Sequence, residues 1–178
     1  ENPLGRPHEA ANFYLQAYLA SPRAHPDAGA KARVLFSGTD AIVNVRRRLL
    51  EHLTDVALEH RPALLTLLGD LLSVHDEYED EAEEHYQQAL SDDPQYAAAA
   101  EAMGRLLARQ GRLEEAVEPL VTAARHRDIE AGRAAECAAI AARVLLELER
   151  PTEAEDVLKR ALQRAPDSQR ALLELARL

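Results

Sequence analysis

A chain of 178 residues is long enough for one ordinary domain or for a short helical array. Hydrophobic residues make up 47% of it but aromatics only 4%, with no Trp, so its apolar content is mostly Ala and Leu. That composition suits helices packed closely through small residues and argues against a β-sandwich, which draws on Val, Ile, Thr and aromatic rings. A formal charge of -10 argues against nucleic acid as the main ligand, no apolar run approaches the roughly 20 residues that span a bilayer, and a single cysteine, Cys137, permits no internal disulfide.

The first predicted helix lies within 7–20 and matches a later stretch. Glu9, Ala10, Tyr14, Gln16, Ala17 and Pro22 recur as Glu81, Ala82, Tyr86, Gln88, Ala89 and Pro94, at a constant offset of 72 residues. Residues 7–22 therefore read as the second helix of a repeat, a half repeat. His25, Pro26 and Gly29 read as a loop, and 30–36 as a short helix ended by Gly38. Thr39 or Asp40 can cap the next helix, which carries Val43, Val45, Leu49, Leu50, Leu53, Val56 and Ala57 until Pro62 stops it. Residues 26–61 are read as one degenerate helical pair, with Thr54 in the large apolar place.

From Pro62 the pattern is regular. Leu65, Leu68, Gly69 and Leu72 fall on one helical face, and the glycine is expected where another backbone approaches, since it costs roughly 1 kcal/mol against alanine inside a helix. Asp76, Glu77, Glu79, Asp80, Glu81, Glu83 and Glu84 form an acidic run, read first as a solvated turn and helix start and second as a cation site or a docking patch for a basic partner. Ala82, Tyr86, Ala89 and Pro94 complete a second helix. Ala100, Met103, Gly104 and Leu107 then repeat the first stripe, and Ala116, Leu120 and Ala123 repeat the second, with Gly111 in the turn and Pro119 placed to kink the helix. The third unit has Ala138, Ala141, Ala142 and Leu145, then Pro151, Ala154, Leu158, Ala161 and Pro166. Second helices are 34 residues apart from Ala82 to Ala116 and 38 from Ala116 to Ala154. The four extra residues, about one helical turn, are expected to lengthen the linker or first helix around 128–134 without rotating the packing face. Leu172, Leu175 and Ala176 begin another first helix, over 169–178, that caps the stack or is truncated.

These stripes, large, large, small, large and then Ala, aromatic or Leu, Ala, Pro, at a spacing of 34, resemble the tetratricopeptide repeat. The resemblance covers 62–96, 97–130 and 135–168, the last with its insertion, and the halves at 7–22 and 169–178. It departs where the usual Trp is Leu65, Ala100 or Ala138, and where the small glycine becomes Ala142. It implies one all-α domain over 1–178, a right-handed superhelical solenoid of antiparallel helix pairs with roughly ten helices. It also implies a concave groove, lined by first helices, that receives a peptide or helix of another protein.

In the resemblance, the residue after each small first-helix position faces that groove. Here these are Asp70, Arg105, Arg143 and Arg177, joined by Arg109 one turn after Arg105 and by Glu101 on the same helix. Three arginines in register form a ladder suited to bidentate capture of carboxylates from an acidic segment. The competing reading is that they pair with local acids such as Glu101 and Glu136. The family's chaperone-tail clamp of Lys, Asn and Arg is not reproduced, since Lys occurs only at 31 and 159.

No catalytic constellation emerges. The seven histidines show no metal-binding spacing, and His126-Arg127-Asp128 resembles a kinase catalytic loop without the residues that loop needs. Cys137, on an alanine-rich stretch, reads as a buried small hydrophobe. The expected function is a non-catalytic protein-interaction scaffold with no cofactor or metal; the alternative is a structural module that self-assembles through its repeat ends. A soluble chain is expected, cytoplasmic first, with the periplasm or attachment to a longer chain as alternatives. Starting at Glu1 without Met suggests an excised or processed piece, and many Arg beside two Lys suggests a GC-rich bacterial genome.

Overall fold

The computed structural model describes residues 7–20, 26–36, 42–127 and 129–178. Among these it contains no strand and ten α-helices: α1 (Pro7–Ala20), α2 (Pro26–Phe36), α3 (Ile42–Asp55), α4 (Arg61–Leu72), α5 (Glu79–Asp92), α6 (Ala97–Arg109), α7 (Leu113–Arg125), α8 (Ala131–Glu147), α9 (Pro151–Arg164) and α10 (Gln169–Leu175). Two compact units divide the chain, Glu1–Asp93 and Pro94–Leu178.

In the first unit α4 and α5 pair through the stripes read from the sequence. Leu65, Leu68, Gly69 and Leu72 are buried against Ala82, Tyr86 and Ala89. The approach at Gly69 is made by an aromatic ring rather than by backbone: a Cβ there would lie 2.5 Å from Cε1 of Tyr86. The ring is fixed from its far end, because Tyr86 Oη donates to Asp70 Oδ1 at 3.0 Å and lies 3.3 Å from Ser73 Oγ. Burial, and then the Asp70 carboxylate, push the phenol well above its ordinary range. The acidic run enters a 3-10 turn, Asp76–Tyr78, and the first turn of α5, where the helix dipole favours it.

Ahead of that hairpin the structure departs from the sequence reading. Pro26 and Gly29 belong to α2 and not to a loop, and a proline in a first helical turn surrenders no hydrogen bond. α1 has a partner in α2, with Gly29 under the ring of Tyr18, where a Cβ would lie 2.7 Å from Cε2. The buried stripe of α1 is Ala11, Leu15 and Tyr18, so Tyr14 does not take the place of Tyr86; it is half-buried, with the Lys31 ammonium 5.2 Å from its ring centre. α2 and α3 do not form the expected pair: α2 packs on α1, and α3 packs on α4. α3 also stops at Asp55, a 3-10 turn follows at Leu58–His60, and Pro62 opens α4 instead of closing α3. Ion pairs tie these pieces together: Arg33 to Asp70 at 3.3 Å, Arg46 to Glu81 at 2.5 Å and Arg61 to Asp92 at 3.0 Å. Pro22, His25, Gly38, Thr39, Asp40 and Asp128 lie outside the described residues.

The second unit is an antiparallel run from α6 to α10. Ala100, Met103, Gly104 and Leu107 on α6 are buried with Ala116, Leu120 and Ala123 on α7. On α8 and α9 the buried set is Ala138, Ala141, Ala142, Leu145, Ala154, Leu158 and Ala161. α8 has 17 residues against 13 in α6, and the extra turn stands at its N-terminal end, ahead of a stripe that keeps its register. Both turns are closed by the same bonds. Arg112 N–H donates to Leu107 C=O at 3.0 Å and Arg150 N–H to Leu145 C=O at 2.8 Å, the six-residue closure of a Schellman motif. The residue that makes this possible has positive φ in each case, Gly111 at 76° and Glu149 at 59°. Arg112 then grips Glu115, and Arg150 grips Glu153, through paired hydrogen bonds of 2.6 to 2.8 Å at the start of α7 and α9. α7 continues through Pro119 without interruption.

Candidate partner-binding face

In the first unit Asp70 is already engaged, by the Tyr86 hydroxyl and the Arg33 guanidinium. The remaining residues of the expected ladder belong to the second unit, on first helices α6 and α8 and just beyond α10. There the arginines are in register but not bare. Glu101, a buried carboxylate with 8% of its side chain exposed, receives Arg105 from its own helix at 2.9 Å and Arg133 from α8 at 2.6 Å. Glu174, with 7% exposed, receives Arg143 from α8 at 3.5 Å and Arg177 at 3.0 Å. Glu136 lies between them, 3.9 Å from Arg105 and 3.8 Å from Arg170. Arg109 closes α6 and takes part in contacts of its own.

The chemical logic is that of a buried charge with two partners. A carboxylate withdrawn from water needs an opposite charge and filled hydrogen-bond sites. Two guanidiniums from two helices supply both, and each retains outward N–H groups because a carboxylate cannot occupy all five. The network holds five guanidiniums against three carboxylates, so it carries excess positive charge in an acidic chain. Between the start of α8 and the α9–α10 turn it opens into a cleft of about 930 Å³, where Arg133, Arg164 and Arg170 stand beside Glu130, Glu136 and Asp167. Arg164 shapes that cleft by donating to the carbonyls of His126, Arg127 and Ile129.

Sequence reasoning does not single out Arg133, Arg170 or Glu174. Arg133 has a legible signal, since it rides on the extra turn of α8, whereas the burial of Glu174 depends on α10 packing against α8. Cys137 sits one turn after Arg133, fully buried, and desolvation followed by the nearby Glu101 charge pushes its thiol up to about 12 despite Arg105 and Arg133. Among the described residues no cluster of His, Cys, Asp or Glu could hold a metal ion, and no helix is long and apolar enough to cross a membrane.

Two family models, each described as tetratricopeptide repeat, match residues 76–128 and 135–178, together more than half of the chain. Among solved structures the chain is similar to YrrB, described as a TPR protein with an unusual peptide-binding site, at 21% identity over 95% of this chain and 83% of that one, with a TM-score of 0.58. It is similar to Pseudomonas aeruginosa pilF at 23% identity, covering 96% of this chain and 68% of that one, TM-score 0.60. TTC0263, a thermophilic TPR protein of Thermus thermophilus, matches at 19% identity, 98% and 91% coverage and a TM-score of 0.55. At such identities the likeness is one of fold. No curated protein sequence matches.

Proposed function

Because this chain belongs to the tetratricopeptide repeat family, whose repeats generally mediate protein–protein interaction, we propose that its first-helix face over α6, α8 and α10 holds an acidic segment of a protein partner, without catalysis. The observation that carries this reading is the register of five guanidiniums on three carboxylates along one helix face, in a chain whose net charge is -10; two of the five, Arg133 and Arg170, reach an open cleft. Glu101 and Glu174 hold the arginines in place, which lowers the side-chain entropy lost when a ligand carboxylate arrives. YrrB, similar in fold, is described as having a peptide-binding site.

Anisotropy of a fluorescein-labelled octaglutamate peptide tests it, with Arg133→Gln combined with Arg170→Gln as the variant. Charge reversal of Arg105 or Arg143 would set a new carboxylate against Glu101 or Glu174, so neutral replacements in the cleft are the cleaner choice. Binding is expected to weaken with added salt, and the double variant to bind about tenfold less tightly, a change of roughly 1.4 kcal/mol, with unchanged helicity. Equal affinity of variant and parent would overturn the reading.

One observation favours self-association as a second reading. α10 leaves Leu172 46% and Leu173 60% exposed, where the stripes of α4, α6 and α8 are buried. Sedimentation velocity over a wide concentration range decides it, a constant monomer mass counting against it.

A further inference from the structure

The second helices of the Pro94–Leu178 unit carry a feature that the acidic-segment reading does not use. α7 and α9 run in the same direction and flank a cleft of about 330 Å³. Val117 and Val121 on α7, Val157 on α9 and Leu145 on the intervening α8 give it an apolar floor. Its rim is polarised along the helices. Counting from the equivalent residues Ala116 and Ala154, Glu118 and Asp156 stand at the same level, each the sixth residue of its helix. Arg160 and Arg125 stand one and two turns further on, Arg125 about 10 Å beyond Glu118 at 1.5 Å per residue. Glu153 also lines the cleft, but Arg150 holds it and keeps its carboxyl below the ordinary range. Glu118, Asp156, Arg125 and Arg160 take part in no ion pair among the described residues, in contrast to the first-helix face, where Arg105, Arg133, Arg143, Arg170 and Arg177 each face a carboxylate.

We propose that this cleft is a second docking slot, for an extended peptide segment of another protein that presents an aliphatic side chain between one basic and one acidic residue. Charge complementarity selects that occupant: its Lys or Arg meets Glu118 and Asp156, its Asp or Glu meets Arg125 and Arg160, and the aliphatic group enters between the valines. About four residues of extended chain, at roughly 3.3 Å each, bridge the two charged ends, because side chains alternate and the basic, aliphatic and acidic groups share one face only at every second position. A uniformly acidic segment, the ligand of the first-helix face, is repelled by Glu118 and Asp156, so the two faces select different sequences. The proposal is independent of the first-helix reading, because none of its side chains belongs to that network.

Methyl-resolved NMR of the full chain, titrated with the capped peptide Gly-Lys-Ser-Leu-Ser-Glu-Gly, tests it. Saturable shifts centred on the methyls of Val117, Val121 and Val157 are expected. Peptides with Lys at both charged positions, or Glu at both, are expected to bind at least several-fold more weakly. The double variant Glu118→Gln, Asp156→Asn, whose changes are isosteric and exposed, is expected to lose the preference for the mixed-charge peptide. Shifts absent from those valines, equal binding of all three peptides, or a preference that survives the double variant would each overturn the proposal. Any of these outcomes would show that the rim charges are solvated and select no ligand.

Discussion

Gly69 shows how much a single residue's role depends on what arrives from elsewhere in the chain. Its presence on an apolar stripe marks it as a point of close approach, but the sequence does not name the visitor, and the Tyr86 ring occupies the place expected of backbone. Gly69→Ala would gain about 1 kcal/mol of helix propensity and lose more, since the ring is buried and its hydroxyl is anchored on Asp70 and Ser73. Overpacking of this kind costs about 1–3 kcal/mol, so urea unfolding is expected to show a lower midpoint with an unchanged slope. The same limit applies to the arginines. Arg105, Arg143 and Arg177 are legible as a register, while their attachment to Glu101 and Glu174 needs the distance between helices that no single position encodes. Tyr14 is the converse case: identical to Tyr86 at a fixed offset, it nevertheless lies outside the buried stripe of its helix, because α1 packs with a face one residue away.

At the level of elements, the hairpins from α4 to α9 are readable because their stripes repeat and their packing is local. The segment before them is not, since a proline reads as a stop. Pro26 and Pro62 both stand in a first helical turn, where the missing N–H costs nothing, and that moves two boundaries. The turns after α6 and α8 offer a cleaner rule. Both close with the same hydrogen bonds and both need one residue at positive φ, yet one uses glycine and the other Glu149. A side chain in the left-handed region costs about 1–2 kcal/mol, part of which glycine returns through the freer unfolded chain. Glu149→Gly is therefore expected to stabilise the protein by about 0.5–1 kcal/mol. Gly111→Ala, at φ 76° with nothing within 4 Å of the added Cβ, is expected to destabilise it by a similar amount through backbone conformation alone. Thermal unfolding of the two variants beside the parent checks both signs; equal midpoints would show that the turn is not held in this conformation in solution.

Across the whole molecule, charge is sorted by surface. The chain is acidic, with much of the excess gathered at the turn into α5, while the first-helix face of the Pro94–Leu178 unit keeps more guanidiniums than carboxylates. Composition announces the first fact and conceals the second, because net charge says nothing about which helix faces share a side. The lone thiol brings the scale of the molecule back to one atom. Cys137 has no solvent contact, and its thiol is held protonated far above neutral pH, so an alkylating reagent can reach a reactive thiolate only after α8 has parted from its neighbours. In kinetic terms the protein carries its own clock for opening. With rising reagent concentration the labelling rate, followed by mass spectrometry, is expected to level off at the rate at which that unit opens. A rate that kept climbing in proportion to reagent, as for a small free thiol, would mean that α8 is never closed for long.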